Sequence, residues 1–270
     1  MSTQTVSSKA SEASPLVELT RDAYGVHGVT AVTLNRPDAF NALSEALLDE
    51  LQTALTSIAA SDARVVVIAG AGRAFCAGHD LKEMRAAPSL EYYQALFARC
   101  TKVMLAIQRM PQPVIARVHG IATAAGCQLV AMCDLAVASD EARFAVSGVN
   151  LGLFCATPSV PLTRNVPRKM AFEMLMTGEF IDAHEARRRG LVNRVAPAAE
   201  LDATLAALAA SICAKPRAAV EAGKALFYRQ LEMGVEAAYQ LAGQTMACNM
   251  MEDATLEGVQ AFIEKRAPRW

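Results

Sequence analysis

The sequence predicts an α/β fold, and the order of its apolar segments supports this prediction. Short segments rich in valine, leucine and threonine alternate with amphipathic segments up to about residue 200, the pattern of a sheet with helical connections. From about residue 202 the alternation stops, and alanine-rich segments with few β-branched residues indicate helices alone. With 270 residues, of which 53% are hydrophobic, the chain has enough apolar material for one large core.

Five segments are predicted to be strands, at residues 16–20, 29–34, 64–69, 114–118 and 135–138. The segment 64–69 is apolar and β-branched, which is typical of a strand buried on both faces. Ser44 is a favoured residue type for a helix N-cap. The leucines that follow it share one helical face; they are Leu47, Leu48, Leu51 and Leu55. Further helices are predicted at 90–110 and 122–133, and a loop at 70–78.

These patterns divide the chain into a tail at residues 1–14, an α/β core at 15–201 and a helical region at 202–270. The tail is rich in serine and threonine and lacks an apolar segment, so a disordered tail is expected and a signal or transit peptide is not. Several large apolar side chains of the helical region lie on one face, too many for so small a unit to cover alone. They are Leu226, Phe227, Leu231 and Met233. We therefore expect this region to contact another subunit.

Charge and cysteine content argue against several classes of function. The formal net charge of -1 argues against a nucleic-acid partner, and no segment is long and apolar enough to predict a membrane span. The seven cysteines are odd in number and include no CxxC pair, so neither a disulfide framework nor a metal site is predicted. Reduced and mostly buried thiols predict a cytoplasmic protein.

Two turns between a strand and a helix are the candidate site of chemistry. The first, at residues 73–81, reads RAFCAGHDL, and the second, at 119–129, reads HGIATAAGCQL. The start of a helix leaves N–H groups without partners and carries a partial positive charge, which suits a developing oxyanion. Each turn also has a purely structural interpretation. In the first turn Gly78 would act only as a hinge, and in the second turn the small residues would only allow close helix packing.

Taken together, these segments resemble the enoyl-CoA hydratase/isomerase, or crotonase, superfamily over about residues 17–266. Five motifs in order carry the similarity: LNRPDAFNAL at 34–43, AFCAGHDLKEM at 74–84, HGIATAAGCQLVAMCDLAVAS at 119–139, TGEFIDAHEARRRGLVNRV at 177–195 and FIEKRAPRW at 262–270. The sequence is also similar to the vertebrate domain-containing relatives of enoyl-CoA hydratase. The resemblance implies a ClpP-like spiral of ββα units, a helical C-terminal trimerisation region, and trimers that pair into hexamers. It implies an acyl-coenzyme A substrate and no tightly bound cofactor.

Matched position by position, the resemblance places an oxyanion hole at the backbone N–H groups of His79 and Ala125. It implies that coenzyme A lies against Asn41, Ala42, Ala77, Asp80 and Leu81. Lys82 and Lys265 match positions that often contact the phosphates, although a solvated surface lysine is an equal alternative for each. Two such donors stabilise a thioester enolate, and the loss of one lowers a rate by about 10²–10³-fold.

The sequence departs from the hydratases of this family at both of their glutamates. Gln128 stands at the first position and Gly148 at the second, so neither can serve as the general base or the general acid of hydration. The two-glutamate hydration of an enoyl-CoA is therefore not expected.

Three chemical possibilities remain for such a site. The first is decarboxylation of a malonyl-type CoA, although Cys155 stands where the resemblance suggests a carboxylate-orienting tyrosine. The second is proton transfer by another residue, with His79 as the candidate, Asn150 as a water-orienting group, and Cys76 or Cys155 as a nucleophile if they are not inert thiols. The third is a non-catalytic acyl-CoA-binding protein, because a fold does not fix a function.

Overall fold

The structure, a computed structural model, describes residues 14–86 and 88–270. Within this part of the chain the larger sheet has six strands, in the order β1 (Val17–Arg21), β2 (Val29–Leu34), β3 (Val65–Gly70), β5 (Val114–Val118), β7 (Leu135–Ser139) and β10 (Arg194–Ala196). β1 is antiparallel to β2, and the other neighbours are parallel. The smaller sheet contains β4 (Ala74–Cys76), β6 (Ile121–Thr123), β8 (Arg143–Ala145) and β9 (Ile181–Asp182).

Successive ββα units connect the two sheets. β3 and β4 lead to α2 (Leu81–Ala86) and α3 (Leu90–Arg109), β5 and β6 lead to α4 (Ala125–Met132), and β7 and β8 lead to α5 (Ala156–Asn165). In each unit the first strand joins the larger sheet and the second joins the smaller one, so the chain turns in a spiral. This arrangement confirms the predicted α/β spiral of ββα units.

The helix α1 (Glu45–Ala59) packs the first part of the chain onto the core. Its N-cap is Ser44, as predicted, and the Ser44 Oγ accepts a hydrogen bond from the Leu47 amide at 3.2 Å. The four predicted leucines of this helix are all buried. Full burial of one leucine stabilises a fold by about 1.5–3 kcal/mol, so this face is a large part of the core.

The chain is helical from Leu201 onward except for short connections. Its helices are α8 (Leu201–Cys213), α9 (Arg217–Leu231), α10 (Val235–Met250) and α11 (Asp253–Ile263), and they follow α6 (Arg168–Thr177) and α7 (Ala183–Arg188). α8 lies in the predicted C-terminal region, yet it packs in the same cluster as the larger sheet through Leu201, Leu205 and Ala209. The domain boundary after residue 201 therefore stays a prediction, and the helices that stand out from the core are α9 to α11.

A buried ion pair attaches α9 to the core. The Lys224 Nζ donates to the carbonyl oxygens of Ile107 and Gln112, each at 2.8 Å, and to the Asp134 carboxylate at 2.7 Å. The Tyr228 hydroxyl donates to the same carboxylate at 2.7 Å.

No single helix in the described ranges is long and apolar enough to span a membrane. The segment Ala198–Cys213, which includes α8, and the helix α9 pass the test of length and composition only as a pair, and the pair is bent by 102°.

Two predicted elements are wrong in their bounds. The predicted loop at 70–78 contains β4, and the predicted helix at 122–133 begins only at Ala125 because β6 takes residues 121–123. The predicted disordered tail at 1–14 lies outside the described residues except for its last position. All seven cysteines are free thiols in the structure, and five of them are buried.

Candidate active site

Three segments that follow neighbouring strands of the smaller sheet form the candidate site. β4, β6 and β8 lie side by side and are parallel, so the segments that leave their carboxyl ends meet at one edge of the sheet. His79 lies shortly after β4, Ala125 shortly after β6 and Gly148 shortly after β8. The topology therefore brings together three of the residues that the sequence singled out.

The first two segments are in direct contact. A Cβ atom at Gly78 would lie 3.0 Å from the Ala124 Cβ and 3.3 Å from the Ala125 amide nitrogen. Gly78 also has a φ of 97°, which side chains rarely tolerate. A Cβ atom at Gly126 would overlap the carbonyl oxygen of Cys76. Glycine at these two positions thus allows the two backbones to approach each other.

The backbone pairing of Leu43 orients the amide of His79. The Leu43 N–H donates to the Gly78 carbonyl at 2.7 Å, and the Leu43 carbonyl accepts from the Asp80 N–H at 3.2 Å. In such a bridge the polar groups of the central residue point to the opposite side, so the His79 N–H points away from Leu43. Neither this amide nor that of Ala125 donates to an acceptor in the described part of the chain.

An ion pair between Arg36 and Asp80 supports this bridge. The Arg36 guanidinium lies 2.7 Å from an Asp80 oxygen and donates to the Ala42 carbonyl at 2.9 Å. The other Asp80 oxygen caps α2 by accepting from the amides of Lys82 and Glu83. Burial raises the pKa of Asp80. The hydrogen bond from Arg36 and the hydrogen bonds from the Lys82 and Glu83 amides outweigh this effect and hold the pKa below its usual value. Asp80 is therefore ionised at neutral pH and belongs to the scaffold.

The side chain of Asn41 is also committed to the scaffold. Its Nδ2 donates to the carbonyl oxygens of Ala71, Ala74 and Phe75 at 2.9, 2.8 and 3.2 Å, and its Oδ1 accepts from the Arg36 amide at 2.9 Å. Asn41 is 0% exposed, so this burial does not support the predicted contact with coenzyme A. Ala42 and Ala77 are partly exposed around the same loops, and Leu81 is exposed.

The two predicted phosphate-binding lysines are not brought together within one chain. Lys82 is exposed at the start of α2, beside the candidate site. Lys265 follows α11, one of the helices that stand out from the core. Among the described residues neither lysine forms an ion pair, and Lys265 forms no hydrogen bond to the three site segments. A phosphate contact of Lys265 stays a prediction.

Position 148 has no room for a side chain. A Cβ atom there would overlap the carbonyl oxygen of Leu153 and would lie 2.7 Å from the Cys155 Sγ. The Gly148 amide donates to the same sulfur at 3.2 Å. The segment from Gly148 to Cys155 thus fills the space that a second glutamate would need. The missing acid is a property of this loop and not of one residue alone.

Gln128 occupies the other hydratase position, on α4. Its backbone N–H donates to the Ala124 carbonyl at 3.0 Å, and its side chain is only 4% exposed. Its Oε1 is buried and has no hydrogen-bond partner among the described residues. An amide does not exchange protons usefully at neutral pH, so Gln128 cannot replace the acid.

His79 is a neutral side chain in this site. Burial lowers its pKa below the ordinary value, and the nearby Leu43 backbone opposes this effect only in part. Both ring nitrogens are buried, and neither forms a hydrogen bond of normal geometry within the described residues. The ring meets that of Phe97 edge-on, with 5.5 Å between centroids.

The other candidate groups are not activated. Burial raises the pKa of the Cys76 thiol to about 12. Burial also raises the pKa of Cys155, although the Gly148 amide opposes this effect. Both are therefore neutral thiols, in agreement with the interpretation that they are inert. Asn150 is exposed, and its side-chain amide donates to the Gly178 carbonyl at 3.3 Å.

The sequence analysis missed three features of the site. The hydroxyls of Thr123 and Ser147 are 2.9 Å apart and connect the second and third segments. The Arg73 guanidinium lies 4.4 Å from the centroid of the Phe40 ring at the exposed rim of the first segment. Ala124 has φ 51° and ψ -119°, a conformation that costs a non-glycine residue about 1–3 kcal/mol. Only this last position carried a signal, the run of small residues.

The fold and site define a class of spiral α/β proteins that present backbone amides at adjacent strand-to-helix turns. The sequence model described as enoyl-CoA hydratase/isomerase matches residues 25–270, and the chain belongs to this family, the crotonase superfamily. The crystal structure of an enoyl-CoA hydratase from Mycobacterium smegmatis is 65% identical, covers 95% of this chain and 99% of its own, and has a TM-score of 0.92.

Two mammalian relatives are similar over nearly the whole chain. The mouse protein named enoyl-CoA hydratase domain-containing protein 3, mitochondrial, is 46% identical over 261 residues, which are 96% of this chain and 86% of the mouse protein. The crystal structure of human enoyl Coenzyme A hydratase domain-containing protein 3 is 45% identical and has a TM-score of 0.90. That match covers 94% of this chain and 100% of the human one.

The predicted cytoplasmic localisation is contradicted by these relatives. The mouse protein and its counterparts from rat, Xenopus laevis, human and Danio rerio all carry the word mitochondrial in their names. The physical reason for the error is that reduced thiols argue only against an oxidising compartment. Cysteine content does not distinguish one reducing compartment from another.

Proposed function

We propose that this protein binds an acyl-coenzyme A thioester and stabilises its enolate with the backbone amides of His79 and Ala125. The observation that carries the proposal is that these two amides follow adjacent parallel strands and donate to no described acceptor. An enolate places negative charge on the thioester oxygen, and preorganised donors stabilise that charge strongly where water is excluded. The amino end of α4 adds the favourable end of a helix dipole.

The same geometry argues against two-glutamate hydration. Gln128 is an amide, and the loop that contains Leu153 and Cys155 fills the space beside Gly148. Water would therefore be neither deprotonated nor delivered by paired carboxylates. We expect crotonyl-CoA to bind but to be hydrated well below the usual enzyme range of about 1–10³ s⁻¹.

Acetoacetyl-CoA tests enolate stabilisation directly, because its enolate absorbs in the ultraviolet and its formation needs no protein base. The protein is expected to lower the apparent pKa of the bound ligand. Semisynthesis with lactic acid in place of Ala125 converts the amide into an ester, which removes the N–H and weakens the Ala124 carbonyl as an acceptor for the Gln128 N–H. This change is expected to abolish most of the pKa shift. The matched control is the same change at Ala254, an alanine in the first turn of α11 whose amide also donates to no described acceptor.

Two results would contradict the proposal. One is a bound acetoacetyl-CoA whose enolate fraction equals that in buffer. The other is an ester at position 125 that leaves the enolate signal unchanged while the chain remains folded.

Decarboxylation of a malonyl-type CoA is a second candidate reaction. It is favoured by a site that retains the amide pair and has no acid at position 128 or 148. The Cys155 thiol is neutral and accepts a hydrogen bond from the Gly148 amide. It is therefore a weak substitute for a carboxylate-orienting tyrosine. Release of carbon dioxide from malonyl- or methylmalonyl-CoA would support this reaction, and binding without any turnover would indicate an acyl-CoA-binding protein.

The proposed assembly is a homotrimer or a pair of trimers joined through the C-terminal helices. Large apolar side chains on these helices are exposed in the single chain, including Tyr239 at 76%, Met246 at 71% and Phe262 at 85%. Exposed apolar surface of this extent marks a protein interface in soluble proteins. The same interface offers a way for Lys265 to reach the site of a neighbouring subunit.

A further inference from the structure

A cleft that the proposed function does not use lies between the start of β3 and the C-terminal helices. Its volume is about 470 Å³, within the range of about 300–1,000 Å³ that is typical of small-molecule sites. Its lining includes Arg64, the connection from Cys213 to Arg217, and Trp270. The side chains proposed above for the subunit interface are not part of this lining.

The cleft is separate from the candidate active site. Arg64 comes directly before β3, and the six residues of that strand span about 20 Å. The segment with His79 leaves the opposite end of β3 through β4, and the Ala125 amide lies beside that segment. A ligand in the cleft would therefore not occupy the position proposed for the thioester.

The Arg64 guanidinium is held in place and keeps unused donors. Its Nη2 donates to the Lys215 carbonyl at 2.5 Å. Its stem packs against Gly28, where a Cβ atom would lie 2.8 Å from the Arg64 Cγ. Among the described residues its Nε and Nη1 groups have no hydrogen-bond partner, and no carboxylate pairs with the guanidinium. Oriented N–H groups thus remain for an anion.

Lys215 adds a second positive charge at this cleft. Its side chain is exposed and forms no ion pair in the described ranges, and the main-chain carboxylate of Trp270 pairs with neither cation there. Arg217 is already paired with Glu221, at 2.6 Å. Two uncompensated charges match a dianion, and a phosphate monoester carries a charge of about -1.5 to -2 at pH 7.

The indole of Trp270 provides a flat apolar surface beside these charges. Its Nε1 donates to the Ala214 carbonyl at 3.2 Å, and its ring lies against Gly258, where a Cβ atom would be 3.0 Å from the Cζ3 atom. These contacts fix the ring, yet 57% of the residue stays exposed. Aromatic rings of ligands stack on such a surface.

We propose that this cleft is a second ligand site, which binds a planar aromatic ring that carries a phosphate group. The phosphate accepts hydrogen bonds from Arg64 and Lys215, and the ring stacks on Trp270. A free mononucleotide and the nucleotide portion of coenzyme A share this chemistry. The proposal does not depend on the proposed function, because the cleft and the amide pair lie toward different ends of β3.

The test titrates adenosine monophosphate (AMP), adenosine, inorganic phosphate and coenzyme A into the full-length protein. Trp270 is the only tryptophan of the chain, so its fluorescence reports occupancy of the cleft, and calorimetry gives the affinities. We expect AMP to bind at least about tenfold more tightly than adenosine or phosphate, because each of these lacks one of the two contacts. An Arg64-dependent signal with coenzyme A would identify its nucleotide portion as the ligand, and a signal with AMP alone would identify a free nucleotide.

Three variants assign the binding to this cleft. Arg64→Gln should weaken AMP binding by at least about tenfold, and Lys215→Gln should weaken it by about threefold because this lysine is exposed. Arg229→Gln removes an exposed charge of α9 outside the cleft and is the matched control, with no expected change. None of the three should alter the enolate signal of acetoacetyl-CoA.

The outcomes separate this proposal from the proposed function. No binding of AMP, equal affinities for AMP and adenosine, or an AMP affinity that is unchanged in Arg64→Gln overturns the second site. Should Arg64→Gln not fold, Lys215→Gln decides the question, and an unchanged affinity there overturns the proposal. An absent enolate signal in the native protein contradicts the proposed function alone.

Discussion

Arg36 connects the first two sequence motifs without belonging to the proposed ligand site. Its guanidinium pairs with Asp80 and with the Ala42 carbonyl, and its backbone amide donates to Asn41. Through Asp80 and Leu43 these contacts reach both sides of His79. Arg36 is therefore a positioning residue for the His79 amide.

At this scale we predict that Arg36→Gln lowers the free energy of unfolding by about 1–3 kcal/mol at pH 7. The pKa of Asp80 is lowered in the folded state, so its contribution is present above the unfolded pKa of about 3.9 and is lost as pH falls through the folded pKa. The difference between the variant and the native protein in urea unfolding should thus shrink in acid. Arg73→Gln, which removes only the exposed contact with Phe40, is the matched control and should change stability by less than about 0.5 kcal/mol.

A difference that stays constant from pH 7 to strongly acidic pH would show that Arg36 does not act through the Asp80 carboxylate. The acetoacetyl-CoA enolate signal adds a readout that a purely structural role would not change selectively. In Arg36→Gln, the enolate signal should decrease by a larger factor than the affinity for acetoacetyl-CoA.

Position 148 leads to a second prediction at the residue scale. The double variant Gln128→Glu with Gly148→Glu should not regain crotonyl-CoA hydration, because any side chain at 148 meets the Leu153 carbonyl and the Cys155 sulfur. Adding Cys155→Ala removes only one of these obstacles. Hydration rates and urea unfolding check the prediction, with Gln128→Glu alone as the control that should fold. Turnover of the double variant in the usual range of about 1–10³ s⁻¹ would contradict the prediction, because it would show that the loop at residues 148–155 rearranges to admit the Glu side chain.

Motif matching selected the candidate site positions His79, Ala125 and Gly148, and their roles stay predictions. They lie shortly after β4, β6 and β8, three short strands that the sequence analysis did not predict. The inward direction of Asn41 was not predictable, because its partners at residues 71–75 lie some 30 positions away and a motif does not show which polar group is buried.

At the scale of elements, strands were predicted more accurately than the start of α4. β2 and β5 have the predicted bounds because runs of β-branched residues favour extended backbone. The alanines at 122, 124 and 125 favour helix by propensity, yet Ala122 lies in β6 and Ala124 has a positive φ. Pairing of β6 with its neighbours on both sides outweighs that propensity.

The contact between α4 and β4 gives the prediction for this scale. Gly126→Ala places a methyl group against the Cys76 carbonyl and should destabilise the protein by about 1–3 kcal/mol or more. Gly223→Ala in α9 is the control, because a Cβ atom there meets nothing within 4 Å and alanine favours helix by up to about 1 kcal/mol. Urea unfolding of both variants measures the contrast. Similar urea midpoints for Gly126→Ala and Gly223→Ala would mean that α4 does not pack closely against β4.

At the scale of the whole molecule, the sequence predicted the helical C-terminal region and its contact with another subunit, but not the surface that it contacts. A sequence shows that apolar side chains exceed what a small helical unit can cover, and it does not show which surface covers them. In the described chain α10 buries no residue and α11 buries only Ala261. We therefore expect the stability of these helices to depend on contacts with another subunit.

We predict that Phe262→Asp reduces the mass of the assembly in sedimentation and lowers the thermal midpoint at low protein concentration. Introducing a charge into an apolar interface leaves that charge desolvated and unpaired. Ser57→Asp, which adds the same charge to an exposed polar position of α1, is the matched control and should leave the mass unchanged. An unaltered sedimentation profile for Phe262→Asp would exclude this surface as the interface.

The origin of each site segment in a separate turn of the spiral has a consequence for how such a protein changes over time. The amide of His79, the amide of Ala125 and the closed loop at Gly148 are carried by three independent connections, each anchored by its own strand of the smaller sheet. Replacing one connection alters one chemical task and leaves the other two in register. The third connection can thus lose or gain an acid at position 148 while the proposed amide pair, which the first two connections carry, is retained.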